Sequence, residues 1–154
     1  MAEKKTYYIR PYEDYDKNAV LELIKLNTPA YFAESEYDDL VHYLDHERED
    51  YFVAAAGDAI IGCGGINYET EKQLAKISWD IIHPACHGKG IGTALLEHRI
   101  SIIDSTHDPD NIVVRTSQHA WRFYEKNGFV LQSITPDYWA EGYDMYVMLY
   151  KKNS

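Results

Sequence analysis

The segment that most constrains the fold is a glycine-rich turn between an apolar strand and an amphipathic helix. Leu74–Ile82 is dense in Ile, Leu and Trp and predicts a buried strand, and Gly88-Lys89-Gly90-Ile91-Gly92-Thr93 opens a helix that runs to about Asp104. Glycine allows positive φ and a close approach of the backbone to a ligand. The N–H groups at a helix start, together with the helix dipole, attract phosphate. The segment therefore predicts a strand–turn–helix unit that is suited to a diphosphate.

Shorter periodic segments on both sides of this unit predict the other elements. Apolar runs predict strands over Tyr7–Arg10, Tyr51–Ala56, Ala59–Tyr68, Ile112–Thr116, Phe129–Ile134 and Asp144–Tyr150. Helical periodicity predicts helices over Asp14–Leu26, Glu36–His46 and His119–Lys126. The order β, α, α, β, β, β, α, β, α, β, β predicts one mixed α/β domain over residues 1–154, with its core from about 7 to 150.

Finer patterns predict local features of these elements. A tight hairpin turn is expected at Gly57-Asp58, and a loop between the last two strands at Pro136–Gly142. Three glycines in one strand predict a bulge or a close backbone neighbour there: Gly62, Gly64 and Gly65. The helix after the glycine turn is expected to bury one stripe of side chains: Ile91, Ala94, Leu95, His98 and Ile102.

The charge balance narrows the classes of partner. The chain carries 15 Lys and Arg residues against 25 Asp and Glu residues, which gives a formal net charge of −10. Proteins that bind nucleic acid without sequence preference need a basic face, and anionic membranes attract basic segments. The composition therefore argues against both partners and is compatible with a cationic acceptor such as an amine.

The cysteines and histidines predict no metal site and no disulfide framework. Cys63 and Cys86 lack metal-ligand spacing, and their number is too small for a disulfide-stabilised fold. His42 and His46 are four residues apart on a predicted helix, but no third ligand accompanies them. The chain shows no secretory signal and no apolar run of about 18 residues, so we expect a cytoplasmic protein.

The glycine segment alone is compatible with other interpretations. A Rossmann motif reads G-x-G-x-x-G, with an acidic residue at a strand end about 20 positions further on. Here the third glycine comes one residue early, and Asp104 and Asp108 lie on or just past the helix. A P-loop would end in Gly-Lys-Ser/Thr, which this segment lacks. A tight turn without a ligand and a small dinucleotide-binding protein stay open at this point.

The segment Ile82-His83-Pro84-Ala85-Cys86-His87-Gly88-Lys89-Gly90-Ile91-Gly92-Thr93 resembles a known motif. It is similar to the pyrophosphate motif of the GNAT superfamily of acetyl-CoA-dependent N-acetyltransferases, Arg/Gln-x-x-Gly-x-Gly/Ala, usually preceded by Val-x-Pro. Gly90 and Gly92 match, and His87 stands where the family usually has Arg or Gln. Because the family makes this contact largely through backbone N–H groups, the resemblance implies that binding survives the substitution.

A second segment resembles the same family in the expected order. Ala120–Phe129 is similar to the family's helix and following strand, commonly A-x-x-F/L-Y-x-x-x-G-F. Tyr124, Gly128 and Phe129 match, whereas Ser117 or Gln118 stands where the family often has Asn at the preceding strand end. Two motifs at the right separation are more specific than either alone.

The resemblance implies an α/β (α+β layered) fold with a mixed, mostly antiparallel sheet of about seven strands and about four flanking helices. The sheet is expected to splay between Leu74–Ile82 and Ile112–Thr116, with acetyl-CoA as co-substrate in the gap. The implied cofactor-binding residues are Ile81, Ile82, His83, His87, Gly88, Lys89, Gly90, Ile91, Gly92, Thr93, Ser117 and Tyr124. A backbone N–H in this strand is expected to hold the thioester oxygen.

The resemblance and the residues together suggest two catalytic groups. In the family, the tyrosine that Tyr124 matches gives a proton to the departing thiolate of coenzyme A. Asp80 is the first candidate for the base that deprotonates the amine, because it is a carboxylate in an otherwise apolar strand beside the expected site. His83, Glu69, Glu141 or an ordered water molecule are the alternatives.

The expected function is transfer of an acetyl group to a primary amine of a small molecule, a peptide or a protein. Thr28–Phe32 is the expected acceptor wall, and the tyrosine-rich residues 138–146 are expected to form a second wall, a dimer contact or an amphipathic strand. A homodimer is common in the family. The alternative function is a non-catalytic acyl-CoA-binding regulatory module of the same fold.

Overall fold

The central element is a mixed sheet of seven strands in the order β1-β2-β3-β4-β5-β7-β6. The computed structural model describes residues 6–107 and 109–151, so Asp108 lies outside the described residues. The strands are β1 (Tyr8–Pro11), β2 (Asp50–Ala56), β3 (Ala59–Glu69), β4 (Leu74–Ile82), β5 (Asn111–Thr116), β6 (Phe129–Ala140) and β7 (Tyr143–Tyr150). The helices are α1 (Lys17–Leu26), α2 (Glu36–His42), α3 (Ile91–Thr106) and α4 (Trp121–Lys126). The predicted fold class is confirmed.

The strands β4 and β5 separate part of the way along their length. They are the parallel pair of the sheet, and their pairing runs from Leu74–Asn111 to Ile77–Val114. The other neighbouring strands pair antiparallel. Beyond Ile77 and Val114 the carboxyl ends of β4 and β5 diverge, which leaves the predicted opening in the middle of the sheet.

Apolar side chains cover both faces of the sheet, because successive residues of a strand point to opposite sides. Val53 belongs to the core that packs under α1 and α2, and its neighbour Ala54 belongs to the core under α3 and α4. Four apolar residues of α1 are buried on the first face: Val20, Leu21, Leu23 and Ile24. The sheet is therefore the middle layer of three layers.

A bulge in β4 lies opposite the glycines of β3, where the sequence predicts a bulge or a close backbone neighbour. Trp79 and Asp80 lie opposite the single residue Gly64, and Trp79 has a positive φ of 50°. A β-bulge redirects side chains and often accompanies an active site. Here it places the Asp80 side chain against the glycine, where a Cβ on Gly64 would lie 2.5 Å from Asp80 Oδ1.

Two segments differ from the sequence prediction. The second predicted helix widens into a π turn over Tyr43–Glu47, where the N–H of Arg48 donates to the O of Tyr43. The loop predicted at Pro136–Gly142 is wrong, because β6 continues to Ala140. The carboxylates of Asp137 and Asp144 accept backbone N–H groups there and hold the irregular pairing, and proline is tolerated on an edge strand.

The buried face of α3 is also rotated from the predicted one. Its buried residues are Ile91, Leu95, Leu96, Arg99 and Ile103, whereas Ala94, His98 and Ile102 are half-buried. Arg99 is thus a core residue, although its charge set it apart from the apolar residues of the predicted stripe. Among the described residues, no helix is long and apolar enough to cross a membrane.

Candidate active site

The opening between β4 and β5 leads into a cavity of about 910 Å³. It is lined by the glycine turn before α3, by the segment between α1 and α2, by Glu47 and Glu49 before β2 and by the end of β3. The bulge of β4 and Tyr124 of α4 line the same cavity. The cavity therefore joins the glycine turn, the bulge and the segment after α1 in one space.

The glycine turn presents backbone groups to this cavity. Gly88 and Gly90 have φ values of +78° and +83°, and a Cβ on either would meet no atom within 4 Å. Gly90 is the N-cap of α3, and its carbonyl accepts the N–H of Ala94, so the N–H groups of the first helical turn have no partner within the helix. Open space beside free N–H groups fits a diphosphate.

The strand β4 turns one free edge toward the opening. The N–H of His83 donates to the O of Ile61 on β3 at 2.8 Å. Because alternate residues direct their N–H and C=O groups to opposite sides of a strand, those of Ile82 face the opening. The carbonyl of Ile82 accepts from Asn27 Nδ2 at 3.0 Å and lies 2.9 Å from His87 Nε2. The N–H of Ile82 is therefore the group of this edge that can pair with an extended ligand arm.

The histidines of this region have defined partners. The His87 ring packs edge-on against Tyr31, with 5.1 Å between ring centroids, and thereby links the glycine turn to the segment after α1. The Nδ1 of His83 accepts the N–H of Ala85 at 3.1 Å and caps the short turn at Pro84–Cys86. His83 therefore holds its own loop in shape.

The structure gathers most of the predicted cofactor residues around the cavity. The lining includes Ile81, Ile82, His87, Gly88, Gly90, Ile91, Gly92, Thr93, Ser117 and Tyr124. His83 and Lys89 are outside this lining. Ser117 is buried, and its hydroxyl accepts the N–H of His119 at 3.2 Å at the turn that leads into α4. Their roles toward a cofactor stay predictions.

The two predicted catalytic residues meet in the middle of the cavity. The Tyr124 hydroxyl donates to Asp80 Oδ2 at 2.6 Å, and Arg99 Nη1 donates to Asp80 Oδ1 at 2.5 Å. Burial and the neighbouring Asp80 carboxylate raise the pKa of Tyr124 well above its usual value. Tyr124 is therefore a protonated hydroxyl at neutral pH, and Asp80 is bound by two donors.

Two aromatic residues fix the bulge that carries Asp80. The Tyr51 hydroxyl donates to the carbonyl of Trp79 at 2.8 Å. The ring of Phe32 stacks on Trp79, with ring centroids 6.2 Å apart and an angle of 16° between the planes. These contacts join the segment after α1 to the bulge, so one wall of the cavity and the strand segment that carries Asp80 form one packed unit.

Comparison with known proteins gives a family for this fold and site. The family described as "Acetyltransferase (GNAT) domain" matches residues 47–131, more than half of the chain. The chain belongs to the GNAT acetyltransferase family. The matched range of this GNAT domain contains the bulge of β4, the glycine turn and Tyr124, which line the cavity described above. No curated protein sequence matches the chain significantly.

Solved structures share the GNAT fold over almost the whole chain. Ard1 from Thermoplasma volcanium is 19% identical, with 96% of this chain and 100% of that chain covered and a TM-score of 0.76. The ribosomal-protein-S18-alanine N-acetyltransferase from Escherichia coli is 19% identical, with 94% and 92% covered and a TM-score of 0.75. An aminoglycoside 6'-N-acetyltransferase complexed with coenzyme A is 15% identical, with 96% and 99% covered and a TM-score of 0.73. At identities this low, the structural similarity shows a common fold and nothing about the acceptor.

The alternative bases predicted for the GNAT domain have different surroundings. Glu69 lines the cavity but pairs with Lys76 at 2.9 Å and Lys72 at 3.4 Å, and the hydrogen bond from Lys76 lowers its pKa. Glu141 is exposed at the turn between β6 and β7 and is outside the cavity lining. Asp80 is thus the candidate that lies beside Tyr124.

The lining of the cavity includes groups that can bind a cationic acceptor. Five carboxylates line the cavity against three Lys or Arg residues: Glu36, Glu47, Glu49, Glu69 and Asp80 against Lys76, Arg99 and Arg115. Tyr31, Phe32 and Trp139 line it as well, whereas Tyr138, Tyr143 and Tyr146 are outside the lining. The Tyr143 hydroxyl instead donates to the carbonyl of Pro29 at 2.6 Å and ties β7 to the segment after α1.

Sequence reasoning missed two charged residues of this site. Arg99 is only 1% exposed, and its spacing of four and eight residues from Leu95 and Ile91 is the signal that could have placed it on the buried face. Glu36 is 6% exposed, and its Oε2 accepts the N–H of Ala33 at 2.7 Å. Burial raises the pKa of Glu36 to about 7.

Proposed function

We propose that this chain transfers the acetyl group of acetyl-CoA directly to a primary amine, with Tyr124 and Asp80 as its proton-transfer residues. The observation that carries the proposal is the contact between the Tyr124 hydroxyl and Asp80 Oδ2 inside a cavity that begins at the glycine turn. The diphosphate end of the co-substrate would bind the N–H groups from Gly88 to Thr93, and its arm would pair with Ile82.

Each residue has one task in this proposal. The co-substrate supplies an activated acyl group on a thiol leaving group. Asp80 accepts the proton that the amine loses on attack, and Tyr124 supplies the proton that the thiol gains. A neutral amine held beside the acyl carbon reacts faster because the encounter is no longer bimolecular. The carboxylates that line the cavity favour a positively charged acceptor.

The first experiment is calorimetric titration of the purified protein with acetyl-CoA, with NADH and NADPH as controls. Micromolar binding of acetyl-CoA alone supports the cofactor assignment. Spermidine, lysine, an aminoglycoside and a lysine-containing peptide are then tested as acceptors by measuring release of free thiol. Binding of NAD(P) without acetyl-CoA binding would overturn the proposal in favour of a dinucleotide-binding protein.

The same experiment separates an enzyme from a regulatory module. A non-catalytic acyl-CoA-binding domain would bind acetyl-CoA and release no thiol with any acceptor. For an enzyme, the wild-type protein releases thiol, whereas the Asp80→Asn variant binds acetyl-CoA with wild-type affinity and releases thiol much more slowly. We also propose a cytoplasmic location, because the buried Cys63 and half-buried Cys86 are free thiols. The homodimer stays a prediction, and light scattering tests it by giving the molar mass of the protein in solution.

A further inference from the structure

Arg99 is a buried charge that the proposed function leaves without a task. It is 1% exposed, and the loss of water around a guanidinium costs several kcal/mol unless partners replace it. Its Nε donates to the carbonyl of Leu95 at 3.0 Å, and its Nη1 donates to the carbonyl of Gly65 at 3.1 Å and to Asp80 Oδ1 at 2.5 Å. The guanidinium is therefore held by two backbone groups and presented to one carboxylate.

The chain keeps space free for this ion pair. A Cβ on Gly64 would lie 2.5 Å from Asp80 Oδ1 and 2.7 Å from Arg99 Nη1, closer than real Cβ contacts allow. The β4 bulge puts Asp80 over this glycine. The pairing thus depends on three separate elements: β3 provides the gap, β4 the carboxylate and α3 the guanidinium.

Asp80 connects the buried charge to the cavity. One carboxylate oxygen binds Arg99 and the other accepts the Tyr124 hydroxyl at 2.6 Å. The side chain of Asp80 is 14% exposed and lines the cavity, so its remaining lone pairs can accept a proton from a ligand there. The titratable groups that face Asp80 from the surrounding elements are Arg99, Tyr124, Tyr43, Tyr51 and Cys63.

Arg99 supplies the positive charge in this set. Burial raises the pKa of the Cys63 thiol to about 12 and raises the pKa of Tyr43 and Tyr51 above their usual value, so these three groups are neutral at pH 7. The guanidinium is charged at every pH at which the protein is folded. It therefore fixes the position of Asp80 and places a permanent positive charge beside it.

We propose that Arg99 is a positioning residue that holds Asp80 as a bridge, through which the proton lost by the amine reaches the departing thiol by way of Tyr124. The proposal rests on the proposed acetyl transfer. As the N–C bond forms and the C–S bond breaks, the amine nitrogen gives its proton to Asp80. Tyr124 gives its own proton to the sulfur, and Asp80 returns the first proton to the phenolate oxygen. Both side chains end in their starting state, and no other reactant is needed.

The bridge compensates for the difference in pKa between the Tyr124 hydroxyl and the thiol of the leaving group. A thiol has a pKa of about 8.5, so a buried tyrosine with a raised pKa is a poor donor to its anion. Protonation of Asp80 removes the negative charge beside the hydroxyl and supplies a donor to the phenolate as it forms. Proton loss from the amine thus prepares the acid that the leaving group needs.

The decisive test is a double-mutant cycle with Asp80→Asn, Tyr124→Phe and the double variant, with the best acceptor of the four amines above. If the two residues form one bridge, each single variant lowers kcat by roughly 100-fold or more and the double variant loses no more than the worse single variant. Multiplication of the two losses would mean that acid and base act independently, and it would overturn the bridge.

Substitution of Arg99 tests the positioning role. Arg99→Met removes the positive charge and the hydrogen bond beside Asp80, so we expect the acidic limb of the kcat/KM profile to move to higher pH and kcat to fall. Arg99→Lys keeps the positive charge, so we expect its kcat and the position of its acidic limb to lie between those of Arg99→Met and wild type. A general loss of packing would lower activity at every pH without moving the limb, and that result, or equal profiles for Met and Lys, would overturn the role of Arg99.

Gly64→Ala gives an independent test if Arg99→Met does not fold. This change keeps all three polar groups but forces Asp80 and Arg99 apart. The matched control is Gly62→Ala on the same strand, where the new methyl group meets the flexible side-chain ends of Ile82 and Leu95. We expect at least a tenfold greater loss of kcat in Gly64→Ala than in Gly62→Ala, with acetyl-CoA affinity retained. Equal losses would overturn the proposal.

The proposed function and the bridge fail in different ways. If wild-type protein binds acetyl-CoA and acetylates an amine while the cycle is additive, the bridge alone is wrong. If wild-type protein does not bind acetyl-CoA, or binds it and acetylates none of the four amines, the bridge falls together with the function that it serves.

Discussion

At the scale of single residues, the site is organised around one carboxylate with two opposite neighbours. Asp80 receives a hydrogen bond from a neutral phenol on one oxygen and from a guanidinium on the other. A lone buried carboxylate would be costly, whereas one bound by a cation and a hydroxyl is stabilised. The same two contacts that stabilise Asp80 in its half-buried position also connect it to the proposed reaction.

Removal of the Tyr124 hydroxyl tests its role as proton donor. We expect Tyr124→Phe to lower kcat by roughly 100-fold, because the thiolate then leaves without a proton, and to change the Kd of acetyl-CoA less than about threefold. Steady-state kinetics and calorimetry measure the two quantities. Unchanged kcat, with chemistry shown to be rate-limiting by the absence of a burst, would refute the role.

Glu36 makes a prediction about stability and pH. Its folded pKa of about 7 lies above the usual 4.5, because the buried carboxylate is poorly hydrated. The folded state therefore holds the proton more tightly, and the stabilisation is present below about pH 4.5 and lost as the pH rises through 7. We expect Glu36→Gln to be more stable than wild type at pH 8 by about 3 kcal/mol.

Chemical denaturation at two pH values measures this difference for Glu36→Gln. The amide oxygen of Gln can still accept the N–H of Ala33, so the capping contact is kept. At pH near 4.5, where the unfolded-state carboxyl begins to protonate, the two proteins should have nearly equal free energies of unfolding. A difference of the same size at both pH values would show that Glu36 does not titrate between them.

At the scale of elements, the start of α3 and the bulge of β4 each combine glycine with polar chemistry. The glycines before α3 leave space beside N–H groups, and Gly64 leaves space beside an ion pair. In both places the missing Cβ is what allows the polar group to reach its partner. The site is therefore formed by regular helices and strands in which single glycines make room for a polar group.

Gly90→Val tests the assignment of the glycine turn as a phosphate site. The positive φ makes a β-branched residue costly, and its side chain would occupy the open space beside the N–H groups. We expect acetyl-CoA affinity to fall at least 100-fold by calorimetry. Gly57→Val is the matched control, because Gly57 also has a positive φ and open space but lies in the β2–β3 hairpin. If Gly90→Val binds acetyl-CoA as tightly as Gly57→Val does, the assignment is contradicted.

The elements were largely predictable from the sequence, and the ion pair was not. Local periodicity predicts α1 and the strand β4 because each buries one face, and the glycine turn is a local signal as well. Arg99 pairs with a residue 19 positions away over a glycine 35 positions away, so no local pattern describes it. The extension of β6 depends on contacts between Asp137 and the strand that follows, which a propensity for loops at proline does not include.

At the scale of the whole molecule, the sheet and the charge act together on the acceptor. The net charge is −10, and the cavity has more carboxylates than cations in its lining. A cationic amine is therefore attracted before it reaches the opening between β4 and β5. The parallel pairing of only four residue pairs between these strands keeps the opening wide.

The ionic strength of the solution tests this attraction. We expect kcat/KM for spermidine to fall several-fold between about 0.02 and 0.3 M NaCl, because salt screens long-range attraction, while kcat changes little. Zwitterionic lysine serves as the comparison, with a smaller fall expected. A salt dependence that is equal for both acceptors would mean that the charge of the protein does not guide the amine.

The narrow gap at Gly64 has a consequence for how this chain can evolve. A single substitution there would collide with Asp80 and Arg99 at once, whereas loss of Arg99 would leave Asp80 uncompensated. The order in which the three positions can change is therefore restricted. Relatives that carry a larger residue at the position of Gly64 are expected to have replaced the arginine as well, and an ancestor without the arginine would have had to acquire the glycine first.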